Sequence, residues 1–237
     1  MSDLDATTPR VFLARHGETE WTKNGRYTGI TDLDLTPEGV KQTTSTAAKL
    51  VGHGRLIDPA RLVRIWVSPR RRAKQTFNSL FGNGDSGSGL VKSDDDRVVI
   101  TEDIAEWGYG DYEGMRTGEV KKWRKERGLD GDREWSIWRD GCEGGESMDQ
   151  VTVRLDGVID EIRAMQGPLI NGERPADVML VAHGLILRAF VKRWLKYPID
   201  QDLPMIYPPG GISVLSYKNR NVEEPGFFVG LALPADN

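Results

Sequence analysis

Two segments far apart in the chain end the same way. The apolar run Val-Phe-Leu-Ala at 11–14 leads into Arg15-His16-Gly17, and the run Asp-Val-Met-Leu-Val-Ala at 177–182 leads into His183-Gly184. Short continuous apolar runs, rather than alternating ones, are what a strand covered on both faces requires, and such strands belong to parallel sheets flanked by helices. A third run, Leu-Val-Arg-Ile-Trp-Val at 62–67, is broken by Ser68-Pro69 before a helical pattern over 71–81. Thr36-Pro37-Glu38 supplies an N-cap, a proline at the first helical position and an acid in the first turn, opening a helix to about residue 50. Strand and helix therefore alternate from the outset, which predicts an α/β protein: a three-layer α/β/α sandwich around a mainly parallel central sheet.

The remaining segments fit that plan. Residues 98–101 and 212–217 read as further strands, and 227–231 as an edge strand. Helices are expected over 117–127, from a Ser147 cap to about 165, and over 185–195. Val151, Leu155, Val158, Ile159 and Ile162 form a helical apolar stripe, which is core. The aromatic and glycine-rich stretch 106–114 is too broken for a regular element and predicts a structured loop, whereas 82–89, nearly all Gly, Asn, Asp and Ser, predicts a flexible one. With 237 residues and 38% hydrophobic content, one domain over 10–237 behind a disordered tail of residues 1–9 is the expected organisation.

Composition removes several classes of function. Net charge is −4 with basic residues scattered among acids, unlike the one-sided basic footprint of a nucleic-acid binder. No apolar run is long enough to span a membrane and no leader-like segment opens the chain, so a soluble, cytoplasmic protein is expected. The single cysteine, Cys142, rules out an internal disulfide or a multi-cysteine zinc site, and no neighbouring histidine marks it as a nucleophile. His53, between two glycines, reads as a surface residue.

The chemistry sits at the strand ends. In open parallel sheets ligands bind outside the carboxyl ends of the strands, where both histidine motifs lie. Glycine after each histidine lets backbone approach an anion closely, and a helix starting near Leu185 would aim its first amides at it. An arginine from Arg70-Arg71-Arg72 together with Arg15 would add the guanidinium forks that a phosphoryl group needs, making a four-group cationic pocket. Glu102, Glu106, Asp111 and Glu113 all compete for the role of acid, and spacing does not choose among them or among the three arginines.

Arg-His-Gly-Glu-Thr at 15–19, Leu-Thr-Pro-Glu-Gly at 35–39, Ser-Pro-Arg-Arg-Arg-Ala-Lys-Gln-Thr at 68–76 and Ala-His-Gly at 182–184 together resemble the histidine phosphatase superfamily, in its phosphoglycerate mutase-like branch. The resemblance runs in order from residue 10 into the 220s. The segments 106–115, 137–143 and 210–217 are similar to the fungal sedoheptulose-1,7-bisphosphatase group within it. That likeness implies a phosphoglycerate mutase-like fold and a cofactor-independent, metal-free phosphatase acting through a phosphohistidine on the C1 phosphate of sedoheptulose 1,7-bisphosphate or a related ketose bisphosphate. Phosphoglycerate mutase-type transfer, a different small-molecule phosphate in a specialised pathway, and a phosphoprotein-binding or regulatory module without turnover are the competing readings.

By motif position the resemblance implies His16 as nucleophile, Arg15, Arg72 and His183, the last as imidazolium, on the phosphoryl oxygens, and Glu106 as a partly protonated acid for the leaving alcohol. Substrate contacts are expected from Thr22, Tyr27, Thr28, Gly29, Ser68, Tyr109, Gly184, Leu185 and Arg188. A small phosphorylated molecule is the expected partner, and a homo-oligomer is compatible. Two departures stand out: Thr22 replaces an asparagine common in the family, and the segment from 196 to 210 is much shorter than in the fungal group, which predicts a missing or rebuilt wall beside the substrate.

Overall fold

The structure is a computed structural model that describes residues 8–82, 90–131 and 133–230. Among these residues six strands, β1 (Val11–Arg15), β2 (Leu62–Val67), β3 (Val98–Ile100), β4 (Asp177–Ala182), β5 (Ile212–Tyr217) and β6 (Pro225–Phe227), form one sheet in the order β3-β2-β4-β1-β5-β6. The first four are mutually parallel, and β5 and β6 are added antiparallel at one side. Among the described residues seven α-helices surround them: α1 (Glu20–Asn24), α2 (Pro37–Leu50), α3 (Arg71–Phe81), α4 (Thr117–Glu126), α5 (Ile137–Asp140), α6 (Met148–Gln166) and α7 (Gly184–Trp194). The expected mixed α/β sandwich is what forms.

The continuous apolar runs divide by alternation. Val11 and Leu13 of β1, Trp66 of β2, and Val178 and Leu180 of β4 join the core under α6 and α7. Their neighbours Phe12, Ala14, Ile65, Val67, Met179 and Val181 join the core under α3, together with Phe77, Leu80 and Phe81. A strand with period-two side chains shows no polar alternation when both faces are covered, which is why these runs read as they do. The stripe of α6 lies in the first of these cores, as expected.

Most element boundaries match expectation to within a residue or two. The edge strand is displaced to Pro225–Phe227, because it pairs with Leu215 to Tyr217 across the turn at Asn219 and Arg220, both left-handed; Leu231 lies outside the described residues. Residues 83–89 of the expected flexible loop and residues 1–7 of the expected tail also lie outside them. Thr8 and Pro9, assigned to that tail from sequence, are instead packed: Thr8 is buried, and the Pro9 carbonyl accepts from Ser216 Oγ.

One close approach positions the first histidine loop. The N-cap Thr36 bonds the Glu18 carbonyl through its amide and the Glu18 carboxylate through its hydroxyl, drawing the start of α2 against residues 16–18. A Cβ on Gly17 would run into the Gly39 carbonyl, and one on Gly39 into the Glu18 backbone. Gly39→Ala should therefore lower the melting temperature, with overpacking of about 1–3 kcal/mol outweighing the helix-propensity gain of at most about 1 kcal/mol. Thermal unfolding of the variant checks this, and an unchanged or raised melting temperature would contradict it.

Candidate active site

Parallel pairing brings the two histidine motifs together. Arg15 lies opposite Ala182, and Val67 opposite Val181, so β1, β4 and β2 end at one level and release His16, His183 and Ser68 side by side. The His16 amide donates to the Ala182 carbonyl at 3.0 Å, and the two imidazole centroids are 5.1 Å apart. His16 Nδ1 lies 2.7 Å from the Gly17 carbonyl. A carbonyl can only accept, so Nδ1 carries a proton.

His183 has the opposite arrangement. Arg72 Nε donates to His183 Nδ1 at 3.1 Å, and a guanidinium can only donate, so the His183 proton sits on Nε2, 2.6 Å from Ser68 Oγ. Burial, then the charges of Arg72 and Arg15, hold His16 well below its ordinary range; burial, Arg72 and His16 do the same to His183. The Arg72 contact makes the His183 ring neutral, and burial favours the neutral form of His16 as well. The imidazolium expected for His183 is thus corrected, because a ring that accepts from a buried guanidinium has no second proton to carry.

The three adjacent arginines separate clearly. Arg70 pairs with Glu102 and Arg71 with Asp34, both toward solvent, whereas Arg72 is fully buried at the start of α3. Besides His183, Arg72 donates to the carbonyls of Thr31, Thr28 and Gly29 at 2.9, 2.8 and 3.1 Å. Arg15 donates to the Tyr207 carbonyl, and its buried Nε has no hydrogen-bond partner among the described residues. Its guanidinium packs on Gly184, where a Cβ would lie 3.0 Å from Arg15 Cζ. Glycine after His183 therefore serves Arg15 as much as any ligand.

Among the competing acids only Glu106 reaches this site. Its Oε2 accepts from the Leu185 amide at 3.1 Å, and its Oε1 from the amides of Ile186 and Trp107 at 2.9 and 3.0 Å. Glu102 is bound to Arg70, Glu113 accepts from the amides of Gly29 and Thr31, and Asp111 is exposed beside Gly144. The first amides of α7, expected to face an anionic ligand, instead hold the Glu106 carboxylate, since a helix N-terminus favours whichever negative group reaches it. Cys142 plays no part: it is buried, and desolvation pushes its thiol up to about 12.

The expected substrate contacts divide. Thr22 donates its hydroxyl proton to the Thr19 carbonyl and accepts the Thr19 amide, both at 2.8 Å, so it closes a capping box on α1 and has no donor left for a phosphate. Thr28 and Gly29 direct their carbonyls to Arg72 and the Gly29 amide to Glu113; they position the guanidinium rather than touch a ligand. Ser68 is buried on His183. Tyr27 stacks on Tyr109, with ring centroids 4.6 Å apart, at the edge of the site. Tyr27, Leu185 and Arg188 line a pocket of about 560 Å³, and Leu185 also binds Glu106 through its amide.

The short segment after α7 builds that pocket's far wall. Asp200 to Met205 line it, and the carbonyls of Ile199, Met205 and Tyr207 accept from Lys192, Arg188 and Arg15 in turn. The segment therefore supplies a wall to this pocket. Sequence reasoning passed over Lys192 and Tyr207; the only signal for Lys192 was its position one helical turn beyond Arg188 on the same face of α7. Among the described residues no three His, Cys, Asp or Glu side chains converge as a metal-ligand set, and no helix is long and apolar enough to cross a membrane.

Strand-end histidines, two guanidiniums and a capped carboxylate at the C-terminal edge of a parallel sheet define a phosphoryl-handling site. A model of the histidine phosphatase superfamily (branch 1) matches residues 11–224. The chain is 36% identical over 255 residues to a sedoheptulose 1,7-bisphosphatase of Saccharomyces cerevisiae, covering 94% of this chain and 92% of the relative. It is 30% identical to an acid phosphatase of Mycobacterium tuberculosis, covering 89% and 87%. A mycobacterial glucosyl-3-phosphoglycerate phosphatase solved with VO3 superposes with a TM-score of 0.67 at 25% identity, covering 97% of this chain and 99% of that one. This chain belongs to the histidine phosphatase superfamily, and it is a phosphoric monoester hydrolase.

Two neutral buried histidines make stability depend on pH. Their folded-state pKa values lie below the unfolded value of about 6.5, so below that pH the unfolded chain binds more protons. Stability contributed by each ring is present above about pH 6.5 and is lost as pH falls toward the folded value, by up to about 1.4 kcal/mol per pH unit per ring. Urea unfolding at pH 7 and 5.5 should show this loss, and His16→Gln should reduce its slope. A slope equal to that of the parent chain would refute the neutral-imidazole arrangement.

Proposed function

We propose that the chain is a sugar-phosphate phosphatase that removes the C1 phosphate of a ketose bisphosphate, with sedoheptulose 1,7-bisphosphate as the leading candidate, through a phosphohistidine on His16. The observation that carries the mechanism is the His16 ring: Nδ1 is committed to the Gly17 carbonyl, and the lone pair on Nε2 is free beside the guanidiniums of Arg15 and Arg72. A neutral imidazole needs no base to become a nucleophile, so no further group has to strip it of a proton.

In this reading Nε2 attacks phosphorus as the bond to the sugar oxygen breaks, and Glu106 takes the role of general acid, giving a proton to the departing alkoxide. Arg15, through its unpartnered Nε, and His183, through Nε2–H shared with Ser68, donate to the equatorial oxygens, while Arg72 contributes charge from behind His183. Water then attacks the phosphohistidine and gives a proton to Glu106, releasing inorganic phosphate and restoring both groups. The sugar assignment is supported by the yeast relative's activity and by the size and mixed polarity of the adjoining pocket.

Phosphate release from a panel of sugar mono- and bisphosphates tests the substrate, and trapping of acid-labile phosphohistidine tests the intermediate. His16→Ala should lower turnover by about a thousandfold or more. Glu106→Gln should cost about a hundredfold or more on a sugar phosphate, but far less on p-nitrophenyl phosphate, whose leaving group departs without a proton. Full-rate hydrolysis by His16→Ala, or isomer interconversion with no phosphate released, would overturn the proposal.

A further inference from the structure

Lys192 is a cation that the reaction at His16 does not use. It is 3% exposed, in the last turn of α7, and its ammonium donates to the Ile199 carbonyl at 2.7 Å and sits 3.7 Å from the centre of the Trp138 ring. The Ile199 carbonyl is its one hydrogen-bond acceptor among the described residues, which leaves N–H donors unspent, and no carboxylate there forms an ion pair with it. Burying an ammonium without an opposite charge is costly, and burial lowers its pKa more than Asp200 and Asp202 raise it.

Lys192, Arg188 and Arg139 line one pocket of about 560 Å³, which is also lined by Leu185, two residues beyond His183. Arg188 spends only its Nε, on the Met205 carbonyl. Lys192 lies four residues beyond Arg188, about 6 Å farther along the helix axis, and nine beyond His183, about 13 Å. The helix thus carries cations outward from the reacting phosphate along one face. Asp200 and Asp202 line the same pocket and are acceptors suited to sugar hydroxyls. Cations together with carboxylate acceptors match a polyol that ends in an anion.

We propose that Lys192, set by Trp138 and Ile199, is a specificity-determining residue that receives the distal phosphate of the substrate, so that the enzyme selects bisphosphorylated sugars by the anion at the end that does not react. This inference rests on the bisphosphate reading above and adds the residue that would enforce it. The unspent N–H donors would turn to the phosphate oxygens, and the incoming dianion would supply the counter-charge that the buried ammonium lacks. Arg188 would flank the same group, while the hydroxyls between the two phosphates face Asp200 and Asp202.

The test compares kcat/KM for a ketose 1,7-bisphosphate with that for p-nitrophenyl phosphate, which has no distal anion, in the parent enzyme and in Lys192→Met and Lys192→Arg. The ratio between the two substrates should fall about tenfold to a hundredfold in Lys192→Met, chiefly through KM for the bisphosphate, and Lys192→Arg should recover much of it. A ratio that survives in Lys192→Met overturns the assignment while leaving the bisphosphate reading intact. A parallel loss on both substrates gives Lys192 a structural role and also overturns it. A parent enzyme that does not prefer the bisphosphate would sink the substrate reading itself, whatever the variants do.

Discussion

The guanidinium of Arg72 is the constraint on which the site depends. It is fully buried, and it bonds three carbonyls of the loop at 28–31 together with His183 Nδ1. A charge removed from water this far is tolerable only when its donors are satisfied, so the loop, helix α3 and the end of β4 must meet in one geometry. That geometry assigns the His183 tautomer. It also places a fixed positive charge behind both imidazoles, which, with burial, keeps them neutral.

The pocket is therefore cationic through its arginines and not through its histidines. This division suits the chemistry: a phosphate dianion is attracted by charges that never titrate, while the imidazole that must attack retains a lone pair. The carboxylate of Glu106 is fixed by the first amides of α7, close enough to Arg15 and Arg72 to act on both guanidiniums. Glycines 17 and 184 have a related role, since each removes a side chain where another part of the site presses in.

The outer wall follows a different logic. A segment of only fifteen residues after α7 closes the pocket by donating nothing from its side chains to the cations; its backbone carbonyls take Lys192, Arg188 and Arg15. Backbone acceptors make such a wall insensitive to the identity of most residues along it, and that is why its effect could not be seen in the sequence. Lys192 escaped notice for the same reason: a lysine near a helix C-terminus ordinarily faces water and the helix dipole, and nothing local reveals Trp138 or Ile199 on top of it.

Sequence by itself determined the strands, because residues covered on both faces must be apolar without interruption, and it determined the helix starts, because Thr36 and Ser147 are caps with their partners a few residues away. It also determined that two histidine motifs end strands. Which arginine of three is buried, which of four acids reaches α7, and how each imidazole is protonated were decided only by the tertiary structure. These depend on contacts between residues 28–31, 72, 106 and 183, separated by up to 155 positions. Thr22 shows the converse: family position made it a ligand contact, but its own hydroxyl closes the cap of α1. Hydrogen-bond donors are finite, and only the folded chain shows where each one is spent.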